Sequence, residues 1–130
     1  MFAAYRTPSN SYRDVAVQTA MTDATPHRLI AMLYEGGLDA IGRARQALKT
    51  HDVRVRGEAT TRAIRILEEG LTASLDDRAG ELAGRLRSLY KYMAHGLVQA
   101  NLRADDAKYA EIARLLGELR DGWAGIAPGR

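Results

Sequence analysis

The chain has 130 residues, of which 46% are hydrophobic and 27% charged, with a formal net charge of +3 and a pI near 9.4. That length suits one domain, residues 1–130, able to bury roughly two-thirds of its unfolded surface, and the composition is that of a folded chain. There is no cysteine, which excludes a disulfide framework, a thiolate metal site and a thiol nucleophile and fits a cytoplasmic protein.

The cations are almost all arginine, Lys49, Lys91 and Lys108 being the only lysines. Acidic residues such as Glu68, Glu69, Asp76, Asp77 and Asp105 are interspersed with them, so no basic stripe suited to nucleic acid forms. Residues 1–10 lack the basic start and apolar core of a secretory signal. The longest apolar run, 29–34, is too short to cross a membrane. The expectation is a cytoplasmic chain with neither a nucleic-acid partner nor membrane insertion.

Residues 1–10, polar and containing Pro8, read as a flexible arm. A short helix over 12–21 follows, with Tyr12, Val15, Ala16 and Ala20 on one side. Thr25-Pro26 is a helix start: threonine caps, and proline occupies the first helical position, where its missing N–H costs nothing. This helix runs to about Lys49. The next spans about 52–75, its inward stripe being Ala59, Ala63, Ile66, Leu67, Gly70, Leu71 and Ser74. After a connector at 76–80, a helix over about 81–103 places Leu82, Leu86, Leu89, Met93, Leu97 and Ala100 on one face, at steps of four and three. Asp105 or Asp106 caps the last helix, whose seam is Tyr109, Ile112, Leu115, Leu116, Leu119, Trp123 and Ile126. Four long amphipathic helices with short connectors predict an all-α fold: an antiparallel up-and-down four-helix bundle with a short additional N-terminal helix.

Catalytic chemistry finds no footing. None of His27, His51 and His95 has a second histidine or carboxylate three or four residues away on a shared face, and the Glu-x-x-His pattern of carboxylate-bridged metal bundles is absent. The pairs Glu68-Glu69, Asp76-Asp77 and Asp105-Asp106 are adjacent in sequence, so on a helix each splays by roughly 100° and does not converge for acid–base work. Gly36-Gly37 follows no strand, and no phosphate-binding loop exists. No enzyme activity, cofactor or metal is expected.

What the sequence does carry is surplus apolar surface. In the helix from Pro26, one seam is Leu29, Leu33, Gly36, Ala40 and Ala44. A second is Ile30, Tyr34, Gly37, Ile41 and Leu48, with Met32 and Leu38 at the edges. Together they cover roughly two-thirds of the circumference, more than a surface helix needs. Either this helix is central and touches three neighbours, or part of its second seam forms a groove for an amphipathic partner helix. The helix over 81–103 shows the same excess, with Tyr90, Tyr92, Val98 and Leu102 outside its seam. Trp123 and Tyr90 read as core, while Tyr34 and Tyr92 read as binding residues. Asn101 either bonds to a neighbouring helix or reads a partner backbone. Tyr5 and Tyr12 either belong to a disordered arm or fold onto the groove. The candidate partner-binding set is Tyr5, Tyr12, Ile30, Tyr34, Leu38, Ile41, Tyr92, Val98 and Asn101.

Two segments resemble a known family. Thr25-Pro26-His27-Arg28-Leu29-Ile30-Ala31-Met32-Leu33-Tyr34-Glu35-Gly36 is similar to the T/S-P-x-x-L-I-x-M-L-Y/F-D/E-G signature of flagellar secretion chaperones, the FliS family. Leu86, Leu89-Tyr90, Tyr92-Met93, Leu97 and Ala100-Asn101 resemble its L-x-x-L-Y-x-Y-M…L-x-x-A-N block. Ala63-Ile64, Ile66-Leu67, Gly70-Leu71 and Ser74-Leu75-Asp76 fit between them, as does Trp123 near the end. Glu35 stands where aspartate is common, and Gly84-Arg85 replaces a more usual polar-asparagine pair. The resemblance implies a cytoplasmic export chaperone that binds the disordered C-terminal segment of flagellin. It would prevent premature polymerisation and deliver flagellin to the flagellar type III export apparatus, with an export gate component as a further partner. The competing reading from a different class is a self-associating structural bundle whose surplus surface is a homodimer interface.

Overall fold

A computed structural model of the chain describes residues 25–126. The expected N-terminal arm and the short helix over 12–21, with Tyr5 and Tyr12, lie outside the described residues. The described chain forms α1 (Pro26–Lys49), α2 (Val53–Arg65) running into a π-helical segment (Ile66–Thr72), a 3-10 turn (Asp77–Ala79), α3 (Glu81–Arg103) and α4 (Asp106–Ala124).

The local start signals act as their chemistry dictates. Thr25 Oγ1 accepts from the Arg28 N–H at 3.1 Å with Pro26 in the first turn, and Asp52 and Asp105 accept from Val55 N–H and Lys108 N–H in the same way, which satisfies donors that a helix start leaves open. At the start of α3, Gly80 takes φ 61° and ψ −120°, a conformation open to glycine because it has no Cβ.

The four helices are antiparallel and pack as a ring, α1 on α2, α2 on α3, α3 on α4 and α4 back on α1. Glycines set the close approaches: a Cβ on Gly37 would lie 2.9 Å from Leu116, one on Gly70 2.9 Å from Leu33, and one on Gly96 3.0 Å from Ile112. The core between them includes Leu67, Leu71, Met93, Leu97, Ile112 and Leu116, each fully buried. Two hydrogen bonds cross it diagonally. The Tyr34 and Tyr90 hydroxyls are 2.6 Å apart, joining α1 to α3. The Tyr109 hydroxyl meets Thr60 Oγ1 at 2.7 Å, joining α4 to α2. Buried hydroxyls need such partners, and these fix which helices face each other.

The ends of α1 and α4 are clasped twice. Trp123 Nε1–H donates to the His27 carbonyl at 2.9 Å, His27 Nε2 lies 3.1 Å from the Trp123 carbonyl, and the rings stack 4.7 Å apart. At the opposite end Arg45 makes a two-pronged contact to Asp106, at 2.8 and 3.1 Å. One expectation is corrected in detail: the helix predicted over 52–75 leaves α-helical geometry at Ile66 and ends at Thr72.

Candidate partner-binding surface

The structure divides the nominated residues into two groups. Ile30, Tyr34 and Ile41 are 0%, 2% and 1% exposed, which corrects their assignment to a surface groove. The second seam of α1 is consumed inside the monomer: Gly37 lies on Leu116 of α4 and the Tyr34 hydroxyl is bonded to Tyr90. The wide apolar arc of α1 is therefore that of a helix contacting α2 and α4 along its length, with α3 across the core. Leu38 is half-buried on its edge, lining a shallow groove of about 730 Å³ with Gly36, Asp39, Arg43, Gln46 and Arg62.

On α3 the surplus divides: Tyr90 is buried against Tyr34, and the rest stays outside. Tyr92, Val98 and Leu102 are exposed, and Val53 at the start of α2 joins them. Val53 was not nominated from sequence because it falls in the first turn, before the periodic stripe of its helix is established. Tyr92 and Val98 sit roughly 120° apart around the helix, one on each edge of its outward strip, with Lys91 and His95 exposed between them.

Each edge has its own chemistry. On the α4 side, the Tyr92 hydroxyl donates to Glu111 at 2.6 Å and accepts from Lys108 Nζ at 3.1 Å, while Lys108 also bonds to Glu111 at 3.0 Å and lies 5.0 Å from the Tyr92 ring centre. The Tyr92 hydroxyl and then the Lys108 ammonium hold the Glu111 carboxyl below its ordinary pKa, and the Tyr92 and Glu111 bonds raise that of Lys108. The ring is thus an exposed aromatic face held at a fixed tilt, a common anchor in protein interfaces. On the α2 side, Arg56 Nε donates to Asn101 Oδ1 at 2.9 Å and Nη2 to the Asn101 carbonyl at 3.2 Å. That contact makes Asn101 a bridge to a neighbouring helix. It also places the start of α2 beside the end of α3.

Among the described residues no group of three or more histidine, aspartate or glutamate side chains is arranged to hold a metal ion, and no helix is long and apolar enough to cross a membrane. In class, then, the described chain is an all-α antiparallel bundle with an exposed apolar and aromatic margin along α3.

Comparison with known proteins gives that class its family. The sequence model of the family described as Flagellar protein FliS matches residues 8–130. The chain is 43% identical over 119 residues to the flagellar secretion chaperone FliS of Salmonella typhimurium, covering 91% of this chain and 88% of the relative. It is 41% identical over 117 residues to the flagellar secretion chaperone FliSB of Pseudomonas aeruginosa (89% and 92%), and 35% identical over 120 residues to FliS of Bacillus subtilis (92% and 86%). The chain belongs to the FliS family of flagellar secretion chaperones, a chaperone family and not an enzyme family.

Proposed function

We propose that this chain is a cytoplasmic export chaperone for flagellin. It binds the disordered C-terminal segment of newly made flagellin, prevents its premature polymerisation, and hands it to the type III export apparatus through a gate component. The observation that carries this reading is the apolar surface that remains on α3 and at the start of α2 after the core is complete: Val53, Tyr92, Val98 and Leu102 are 65%, 46%, 42% and 78% exposed. A client segment that folds on docking loses several kcal/mol of conformational freedom, and apolar contact at about 25 cal/mol per Å² is what offsets it.

The client lies as an amphipathic helix with extended flanks along the outward strip of α3. Tyr92 and Val98 are its apolar contacts and Asn101 a polar one. Leu38 marks a second contact on the α1 groove. Tyr5 and Tyr12, which lie outside the described residues, are further candidate contacts for the client. Ile30, Tyr34 and Ile41 act only by shaping the bundle beneath.

Flagellin polymerisation followed by light scattering tests this. An equimolar amount of the chain should suppress filament growth and co-elute with flagellin on gel filtration, and flagellin lacking its C-terminal segment should elute apart. If filaments grow unimpeded and the chain elutes only as its own dimer, the surplus surface serves self-association and the client reading is wrong.

A further inference from the structure

Three of the four large hydrophobic side chains exposed among the described residues, Val53, Val98 and Leu102, lie near one polar pair, Arg56 and Asn101, in sequence. Val53 precedes Arg56 and Val98 precedes Asn101 by about one helical turn, so each lies on the same side of its helix as the polar residue, while Leu102, next in sequence to Asn101, projects roughly 100° away toward the outer strip of α3. The pair determines which way the Asn101 amide points. A guanidinium offers only N–H donors, so the amide oxygen has to face it, and both contacts go to oxygen, Oδ1 at 2.9 Å and the main-chain carbonyl at 3.2 Å. The Nδ2 group is turned the other way. Its two N–H donors meet no acceptor among the described residues, and no side-chain polar atom there is both buried and unpartnered, so Nδ2 is open to solvent.

An unused amide donor beside an exposed valine takes a hydrogen-bond acceptor, and the acceptor that every residue of a polypeptide offers is the backbone carbonyl oxygen. Carbonyls within a helix are already bonded, apart from those of its last turn. The acceptor therefore belongs to extended backbone or to the end of a helix. A second copy of this chain is a poor occupant. Lys91 and Arg103 are exposed on the same helix with no ion pair among the described residues. A two-fold axis through this part of α3 sets those cations against their counterparts, and like charges in register repel.

We propose that Arg56 and Asn101 form a main-chain reader. Asn101 Nδ2 donates to a backbone carbonyl of an extended stretch of the docked client, Val53, Val98 and Leu102 contact the side chains on either side of it, and Arg56 is the positioning residue that keeps the donor outward. This rests on the client reading above and deepens it. A reader of main chain holds a client without demanding a particular residue, which suits a segment that is disordered before it docks.

The substitution that separates reading from mere tethering is Asn101→Asp. It keeps an oxygen for Arg56, now as an ion pair, and removes both donors. In titrations of a flagellin C-terminal peptide into the full chain, Asn101→Asp should weaken binding about ten-fold or more at an unchanged melting temperature. Arg56→Met should weaken it less, and should add little in the Asn101→Asp background. In the wild-type chain, the outward side-chain amide proton of Asn101 should move downfield in the NMR spectrum as peptide is added, a readout that holds even if the variant melts low. Equal affinity for wild type and Asn101→Asp, or an amide proton that does not move while peptide binds, overturns the reader and leaves the client reading standing. A wild-type chain that binds no peptide overturns both.

Discussion

Ile41 and Tyr92 show how far single residues were legible. Both lie outside the narrowest helical seam, and nothing in their spacing separates them. The structure does: Ile41 is 1% exposed and Tyr92 46%. Ile41→Ala should therefore cost about 2–5 kcal/mol of stability through lost burial and the cavity left behind. Tyr92→Ala should lower client affinity while the melting temperature moves little. Calorimetric melts beside peptide titrations check both, and a Tyr92→Ala variant that loses stability but binds normally would place that ring in the structural group. A second residue-scale expectation concerns Ala104, which closes α3 at φ 52°. That left-handed conformation costs a residue with a Cβ roughly 1–2 kcal/mol, part of which glycine returns as added freedom of the unfolded chain. Ala104→Gly should raise stability by about 0.5–1 kcal/mol, read from the denaturant midpoint, and a lowered midpoint would contradict this.

At the scale of the element, the glycines separate contact from idle space. Gly37 abuts Leu116, whereas a Cβ on Gly42 of the same helix would meet nothing within 4 Å. Gly42→Ala should stabilise by about 1 kcal/mol through helix propensity alone, and Gly37→Val should destabilise by about 1–3 kcal/mol because Leu116 is fully buried and has to move. Chemical denaturation of the two variants checks the contrast, and equal midpoints would contradict the close packing of α1 on α4. The helix starts were legible because Thr25, Asp52 and Asp105 are capping residues whose side chains accept the predicted type of bond. The π-helical segment at Ile66–Thr72 was not, since a pattern read at 3.6 residues per turn carries no mark of a local slip to the wider spacing.

Across the whole molecule, the four-helix architecture followed from apolar periodicity, but which seams stay outside did not. Helix α1 carries the broadest apolar arc and buries nearly all of it, because it borders both α2 and α4 and meets α3 across the core through Tyr34 and Tyr90. Helix α3 carries a narrower surplus, of which it buries Tyr90 and leaves Tyr92, Val98 and Leu102 exposed. Amount of apolar surface is a sequence property; its fate depends on the number of neighbours, which only packing fixes. The bundle's acid response is also a property of the whole. The hydrogen bonds from Arg45, offset in part by burial, hold the Asp106 carboxyl below its ordinary value and tie the end of α1 to the start of α4. A depressed carboxylate adds stability that is complete above the ordinary aspartate range and is lost as pH falls through the lowered value. The effect is small, since the two side chains are 36% and 43% exposed. Melts from about pH 6 to about pH 2, across the carboxylate range, should decline less steeply for Arg45→Met than for the wild type, and superimposable profiles would contradict the tie.

The central claim is that the apolar margin of α3 receives a foreign polypeptide, and titration calorimetry at several temperatures measures it directly. Injecting a flagellin C-terminal peptide should give saturable one-to-one binding with a negative heat-capacity change, the signature of apolar burial coupled to folding, and Tyr92→Ala should make that change smaller. No heat at any temperature, or binding whose heat capacity is untouched by Tyr92→Ala and by Val98→Ala, would contradict it.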